Sequence, residues 1–111
     1  MDKLIITCAI SGAEVMKEHN SAVPYTVAEM VREAKAAAEA GAAIIHLHAR
    51  YDDGTPTQSK DRYQVIIEAI KKELPHIIVQ VSTGGAVGMS RQERADVLDL
   101  YQRWLRWIVE R

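Results

Sequence analysis

Three apolar, strand-like runs alternate with three helix-like segments along this chain. The runs cover residues 4–10, 43–48 and 77–81, and they are rich in Ile, Leu and Val. Such near-continuous apolar runs are typical of central strands that are covered on both faces. Because a helix-like segment follows each run, the pattern predicts three βα units with a parallel sheet, which is the α/β fold class.

Polar residues mark the beginnings of the helices. Thr26 with Glu29, and Ser90 with Glu93, form capping boxes, in which a hydroxyl and a carboxylate satisfy free backbone N–H groups. Gly41 ends the first helix, and no Gly or Pro interrupts the third. An apolar stripe at helical spacing identifies the second helix, formed by Tyr63, Ile66, Ile67 and Ile70. The predicted helices are residues 26–41, 59–74 and 90–111.

Length and composition exclude several classes of protein. The 111 residues suit one domain and are less than half of the roughly 250 of a closed eight-unit α/β barrel. A net charge of −1 gives no overall field for nucleic acid or an anionic membrane. The single cysteine, Cys8, cannot form an internal disulfide, and no apolar run approaches the ~20 residues of a membrane span. We therefore expect one cytoplasmic domain, residues 1–111, without nucleic-acid or membrane partners.

The loops that follow the strands are longer than the loops that return to them. About fifteen residues follow the first strand and about nine follow the second, whereas the returns have about two or three. In parallel α/β folds, loops after the strands converge at the carboxyl edge of the sheet, where ligands bind. We therefore expect the functional site at this edge.

His46 and His48 are the strongest metal candidates. Both belong to the second strand and share its parity, so their rings leave the same face with Cα atoms ~6.6 to 7 Å apart. Neutral imidazoles suit zinc, but a catalytic zinc commonly takes three protein ligands, so two are not enough. The alternative interpretation is a pair of satisfied polar side chains at the end of a sheet.

Two further charged residues are candidates for binding. Glu14, in the first long loop, could accept protons, ligate a metal or pair with a substrate ammonium, or it could simply be a solvated loop acid. Arg50 could hold a carboxylate or phosphate with two hydrogen bonds. It could equally pair with Asp52 or Asp53.

A Ser- and Gly-rich loop follows the third strand directly. The backbone N–H groups of such a loop can line an oxyanion or carboxylate site, although a merely structural turn is an equally good interpretation. The loop has no P-loop lysine and no G-x-G-x-x-G pattern, which disfavours a nucleotide. Its candidate binding residues are Ser82, Thr83, Gly84 and Gly85.

Taken together, these segments resemble the N-terminal part of the beta-keto acid cleavage enzymes. The motifs that carry the resemblance are residues 4–14, Pro24-Tyr25-Thr26, residues 41–50, residues 53–57 and residues 82–89. The resemblance implies a zinc-dependent TIM-barrel enzyme, in which a beta-keto acid and acetyl-CoA yield acetoacetate and a new acyl-CoA. By the same comparison, His46 and His48 are zinc ligands. Glu14 and Ser82, with the loop through Gly85, bind the substrate.

The chain also departs from this family. The resemblance covers residues 1–98, and residues 99–111 are predicted to form a divergent amphipathic helix end. The later strands that supply the family's acidic zinc ligand and its acid/base group have no counterpart here. We therefore expect a truncated or redesigned sector of a TIM barrel that is catalytically incomplete on its own. Its wide apolar tail and open sheet edges favour a homo-oligomer.

Two other functions remain open at this point. One is an active zinc enzyme of the same class that is assembled between chains. The other is a self-associating structural module without catalysis, in which the two histidines are only structural. For the tail, the simpler interpretation is a wide helix face that packs on the core of its own domain.

Overall fold

The structure, a computed structural model, describes residues 2–100. Within this range three parallel strands lie in the order β1-β2-β3, and helices alternate with them along the chain. The α/β class and the parallel sheet are therefore confirmed, and the arrangement is that of a sector of a TIM barrel. The elements are β1 (Thr7–Ala9), α1 (Val27–Glu39), β2 (Ile44–Leu47), α2 (Lys60–Glu73), β3 (Ile78–Val81) and α3 (Arg91–Ala95).

Of the predicted divergent tail, residues 99–111, all but residues 99 and 100 lie outside the described residues, and so do both tryptophans. The prediction that this tail joins copies of the chain lies there too. Among residues 2–100, no helix is long and apolar enough to cross a membrane.

The core lies between the sheet and one layer of helices. Ile45 and Leu47 point into it from β2, and the predicted stripe of α2 meets them there with all four of its side chains buried. Full burial of such a side chain contributes about 1.5–3 kcal/mol, so this interface is a main source of stability. The helices pack on this face because their apolar stripes have no other surface to cover.

The opposite face of the sheet is open. Ile78 on β3 is 58% exposed, and Leu4 and Ile5 before β1 are more exposed still. The prediction that all three strands are central and covered on both faces is therefore wrong for residues 2–100. β1 and β3 are the two edges of a three-stranded sheet, and β1 is shorter than the predicted residues 4–10. In a TIM barrel this same face is filled by layers of inward-pointing side chains, which explains why the strands are apolar on both sides.

The predicted third helix is interrupted after Ala95, and helical structure resumes at residues 98–100. Its capping box between Ser90 and Glu93 is complete, but α3 stops at Ala95. The Asp96 carboxylate accepts a hydrogen bond from the backbone N–H of Lys60, the first residue of α2, at 3.2 Å. Asp96 thereby caps the beginning of α2. The side chain of Ser59, the residue before α2, makes no capping hydrogen bond itself. The interruption itself is a two-residue turn at residues 96–97, in which Asp96 keeps helical dihedral angles.

Candidate active site

The two histidines lie side by side at the carboxyl end of β2. Their ring centroids are 5.2 Å apart, and the ring planes make an angle of 68°. Both side chains are half-buried, whereas Ile45 and Leu47, the alternate residues of the strand, are buried against the helices. His46 and His48 therefore share the open face of the sheet, as their strand parity predicts.

This arrangement fits two ligands of one metal ion. Two imidazoles that bind one tetrahedral zinc at about 2.0–2.1 Å would place their ring centroids about 5 Å apart. The observed separation agrees, although edge-to-face ring contacts in general fall in the same range. Within residues 2–100, no group of three or more His, Cys, Asp or Glu side chains is placed to hold a metal. The described part of the chain thus offers two imidazoles at a separation that suits one metal ion, and no third such side chain beside them.

The electrostatic surroundings keep His48 neutral. Burial lowers the pKa of its imidazole, and the electrostatic interactions with His46 and Arg50 act in the same direction. Neutral imidazole is the form that binds metals, because the lone pair of the ring nitrogen must be free. His48 is therefore in the protonation state that a ligand requires at neutral pH.

The loop after β3 begins at the level of the histidines. The N–H of Ser82 donates to the carbonyl of Leu47 at 2.9 Å, so Ser82 continues the pairing of β3 with β2. Its own carbonyl accepts from Gln58 Nε2 at 2.9 Å and lies 3.4 Å from the Tyr63 hydroxyl. Both partners are buried, and burial raises the pKa of Tyr63 to about 12, so its hydroxyl keeps its proton. The start of this loop is therefore held by the buried side chains of Gln58 and Tyr63.

The rest of the loop is turned towards solvent. The Ser82 hydroxyl accepts from the N–H of Gly84 at 3.0 Å, and Thr83 and Gly84 are exposed. Gly85 has a positive φ of 64°, and a Cβ there would lie 2.9 Å from Cγ of Arg94, so glycine is needed at this position. Within residues 2–100, the N–H groups of Thr83 and Gly85 donate to no acceptor of the protein. These two donors are free to bind an anionic group.

Glu14 connects the first loop to the third. Its Oε1 accepts a hydrogen bond from the N–H of Val87 at 3.3 Å, across 73 residues of sequence. The glutamate is exposed, so it combines this contact with access to solvent. The structure thus brings Glu14 and the Ser82 loop together at the carboxyl edge of the sheet, as the loop lengths predict.

Arg50 anchors the segment that carries Glu14. It is fully buried, and its guanidinium donates to the carbonyls of Gly12, Val15 and Gly54 at 2.7–3.2 Å and to the sulfur of Met16 at 2.9 Å. Both sequence interpretations of this arginine are therefore wrong. Its donors are used within the protein, so they cannot hold a carboxylate or phosphate.

The aspartates that were the other predicted partners of Arg50 bond elsewhere. Asp52 pairs with Arg62 at 2.8 Å, and the carboxylate of Asp53 accepts from the N–H of Thr55 at 2.9 Å. This second contact closes the turn that carries Gly54, with its positive φ of 93°. The segment is a turn, as its sequence indicates.

Three residues with polar contacts at the site were not recognised from the sequence. Gln58 and the hydroxyl of Tyr63 fix Ser82, and Gln80 Oε1 lies 2.8 Å from His46 Nδ1. Gln80 could have been found, because a polar residue in the third strand is notable when the second strand carries a histidine pair. No sequence signal distinguishes Gln58 from an ordinary polar loop residue.

A parallel βα sheet with its polar side chains at the carboxyl edge is the architecture of TIM-barrel enzymes. Comparison with known proteins gives the family within that class. The sequence model of the beta-keto acid cleavage enzymes matches residues 3–105, and the chain belongs to this family.

Characterised relatives match this chain over most of its length. A 3-keto-5-aminohexanoate cleavage enzyme of Acetoanaerobium sticklandii is 66% identical over 94 residues, which are 85% of this chain and 34% of the relative. The enzyme of the same name from Fusobacterium nucleatum is 62% identical over 101 residues, which are 91% and 37%. A 3-oxoadipate:acetyl-CoA acetyltransferase of Cupriavidus necator is 50% identical over 96 residues, which are 86% and 34%. The chain thus spans about a third of the length of the curated relatives it matches.

Proposed function

We propose that this chain supplies the metal-binding and substrate-binding part of a beta-keto acid cleavage site. In this proposal His46 and His48 are zinc ligands, Glu14 and the loop from Ser82 to Gly85 bind the substrate, and acetyl-CoA is the co-substrate. The reaction is the conversion of a beta-keto acid and acetyl-CoA to acetoacetate and a new acyl-CoA. The names of the relatives support both the keto acid and acetyl-CoA.

The observation that carries the proposal is the placement of the two imidazoles. They lie 5.2 Å apart at the carboxyl end of β2, and Ser82 follows β3 at the same level of the sheet. A metal held there would lie beside the loop with free N–H donors. Metal and substrate groups are thus collected at one edge, on a fold whose ligands bind at that edge.

The residues of the chain have distinct tasks in this site. Zinc, when bound, would polarise the keto oxygen of the substrate and thereby favour cleavage of the neighbouring carbon–carbon bond. The N–H groups of Thr83 and Gly85 can donate to the substrate carboxylate, and the exposed carboxylate of Glu14 can accept from an ammonium group. A keto acid with an amino group, as in the names of the two relatives above 60% identity, suits this combination.

The site needs groups that residues 2–100 do not provide. A third zinc ligand is missing there, and we assign no base to these residues. We propose that these groups come either from further segments of a protein as long as the relatives or from a second copy of the chain. On its own, the site formed by residues 2–100 of one chain is catalytically incomplete.

Zinc binding by the purified chain tests the metal part of the proposal. We would measure the zinc dissociation constant by competition with a chromophoric chelator, and the number of chains and zinc ions per particle by native mass spectrometry. The variants are His46→Ala and His48→Ala. His76→Ala is the matched control, because His76 is exposed and lies away from the carboxyl edge.

We expect at least tenfold weaker zinc binding in each site variant and unchanged binding in the control. Zinc bound equally well after replacement of both site histidines would refute the metal assignment. One zinc shared by two chains would identify the second copy as the source of the missing ligand.

A separate titration tests the substrate part. Addition of an amino-substituted beta-keto acid to the zinc-loaded chain is expected to shift the amide resonances of Thr83, Gly85 and Val87. Glu14→Gln should weaken binding of this compound but not of the analogue that lacks the amino group. Equal effects on both compounds would rule out Glu14 as the partner of the ammonium.

A further inference from the structure

The side chain of Gln80 contacts His46 on the open face of the sheet. The two residues lie opposite each other in the parallel register of β2 and β3, and Gln80 Oε1 is 2.8 Å from His46 Nδ1. A carboxamide oxygen carries no proton, so it can only accept this hydrogen bond. With Oε1 facing the ring, this hydrogen bond requires a proton on His46 Nδ1, and in a neutral ring the free lone pair is then on Nε2.

The contact follows from the geometry of the sheet. His46 is the third residue of β2 and Gln80 is the third residue of β3, so both side chains leave the same face at the same height. Directly opposed side chains on one face are close enough to bond without any special loop conformation. The pair is thus positioned by the paired backbones of two adjacent strands.

We propose that Gln80 is a positioning residue that fixes the tautomer and the ring orientation of His46, so that Nε2 is the nitrogen that binds zinc. The inference about zinc rests on the proposed function, whereas the effect on the tautomer does not require a metal. Metal-binding histidines usually donate their other ring N–H to an acceptor, which holds the ring in place. Within residues 2–100, His48 has no such hydrogen bond and contacts the ring of His46 instead.

Nuclear magnetic resonance of the ¹⁵N-labelled, zinc-free chain tests the tautomer directly. Long-range couplings between ring carbon-bound hydrogens and the two ring nitrogens distinguish Nδ1–H from Nε2–H, at a pH at which the imidazoles are neutral. The informative variants are Gln80→Leu, which removes the acceptor, and Gln80→Glu, which keeps one. Gln64→Leu is the matched control, since Gln64 on α2 bonds Glu68 and not a histidine.

We expect Nδ1–H for His46 in the unaltered chain, in Gln80→Glu and in the control. In Gln80→Leu we expect a mixture rich in the Nε2–H form, which is the commoner tautomer of a free histidine side chain. For zinc we expect 10–100-fold weaker binding in Gln80→Leu and near-unchanged binding in the control.

An unchanged tautomer of His46 in Gln80→Leu would overturn the proposal, and so would unchanged zinc affinity in a chain that binds zinc. If the unaltered chain binds no zinc, the metal assignment fails while the tautomer measurement still decides the role of Gln80. If Gln80→Leu does not fold, the other two chains decide the question. An Nε2–H tautomer of His46 in the unaltered chain or in Gln80→Glu would refute the proposal, whereas an Nδ1–H tautomer in both chains would support it.

Discussion

Replacement of Arg50 by lysine should destabilise the protein and loosen the loop that carries Glu14. The guanidinium donates to three backbone carbonyls and one sulfur from a fully buried position. Lysine has a single ammonium group, which cannot reach acceptors on two sides of a planar fork at once. An ammonium has three N–H donors in place of five, so at least two of the five hydrogen bonds, for example those to Gly12 and Val15, are lost.

The expected loss can be estimated from these bonds. A hydrogen bond to a charged group contributes about 1.5–3 kcal/mol, so two lost bonds would cost roughly 3–6 kcal/mol. Water can replace part of this, because the bonds to Gly12 and Val15 are only partly buried. We expect about 2–4 kcal/mol less free energy of unfolding for Arg50→Lys. The exposed Arg32→Lys should stay within about 0.5 kcal/mol of the unaltered chain.

Urea unfolding followed by circular dichroism measures this difference, and amide hydrogen exchange locates it. The N–H of Val87, which bonds Glu14, should exchange faster in Arg50→Lys even under conditions that keep the chain folded. The N–H of Ile66 in the core of α2 should change only by the global loss of stability. A change in unfolding free energy below about 1 kcal/mol, or unchanged exchange at Val87, would contradict the role of Arg50 as the anchor of this loop.

Two further substitutions test the turn and the buried hydroxyl. Gly54→Ala should lower the free energy of unfolding by more than about 2 kcal/mol, because φ is +93° and the new Cβ would lie 2.5 Å from the ring of Tyr25. Gly41→Ala, with φ +112° and no atom within 4 Å of the new Cβ, should lower it by only about 1 kcal/mol. Thermal unfolding measures both changes. Tyr63 has a pKa raised by burial to about 12 against an ordinary 10.0, so the unaltered chain should lose stability as the pH rises from 10 towards 12. Tyr63→Phe should lack this alkaline loss but be about 1–2 kcal/mol less stable at neutral pH, since Gln58 Oε1 loses its donor; an identical pH dependence of both chains would refute this assignment.

Features that depend on neighbours in sequence could be predicted well. Thr26 accepts from the N–H of Glu29 at 3.1 Å, as the predicted capping box requires, but the Glu29 carboxylate accepts from the N–H of Tyr25 and not from that of Thr26. The stripe from Tyr63 to Ile70 is buried as its spacing indicates. The shared face of His46 and His48 also follows from local geometry alone, because strand parity fixes it. Each of these features is determined by the sequence of one short segment.

Features that depend on distant partners could not be predicted. The acceptors of Arg50 are backbone carbonyls, which every residue has, so no pattern of side chains reveals them. The cap at the first residue of α2 comes from Asp96, which accepts from the N–H of Lys60 across 36 residues. The apolar strands suggest cover on both faces, yet Ile78 shows that residues 2–100 cover only one. Strands that are apolar on both faces suit the interior of a closed barrel, whereas the described elements form one sector of such a barrel.

The positions of the anchoring residues explain how one sector can keep the geometry of its site. Arg50 and Gln58 both lie between β2 and α2, and they hold the loops that follow β1 and β3 respectively. His46 lies on β2 and His48 follows the last residue of that strand, and Gln80 contacts His46 from β3. Within residues 2–100, the contacts that place Glu14, Ser82 and the imidazoles are made around the central strand. Under the proposed function, zinc binding and substrate binding can therefore be tested on this chain separately from turnover.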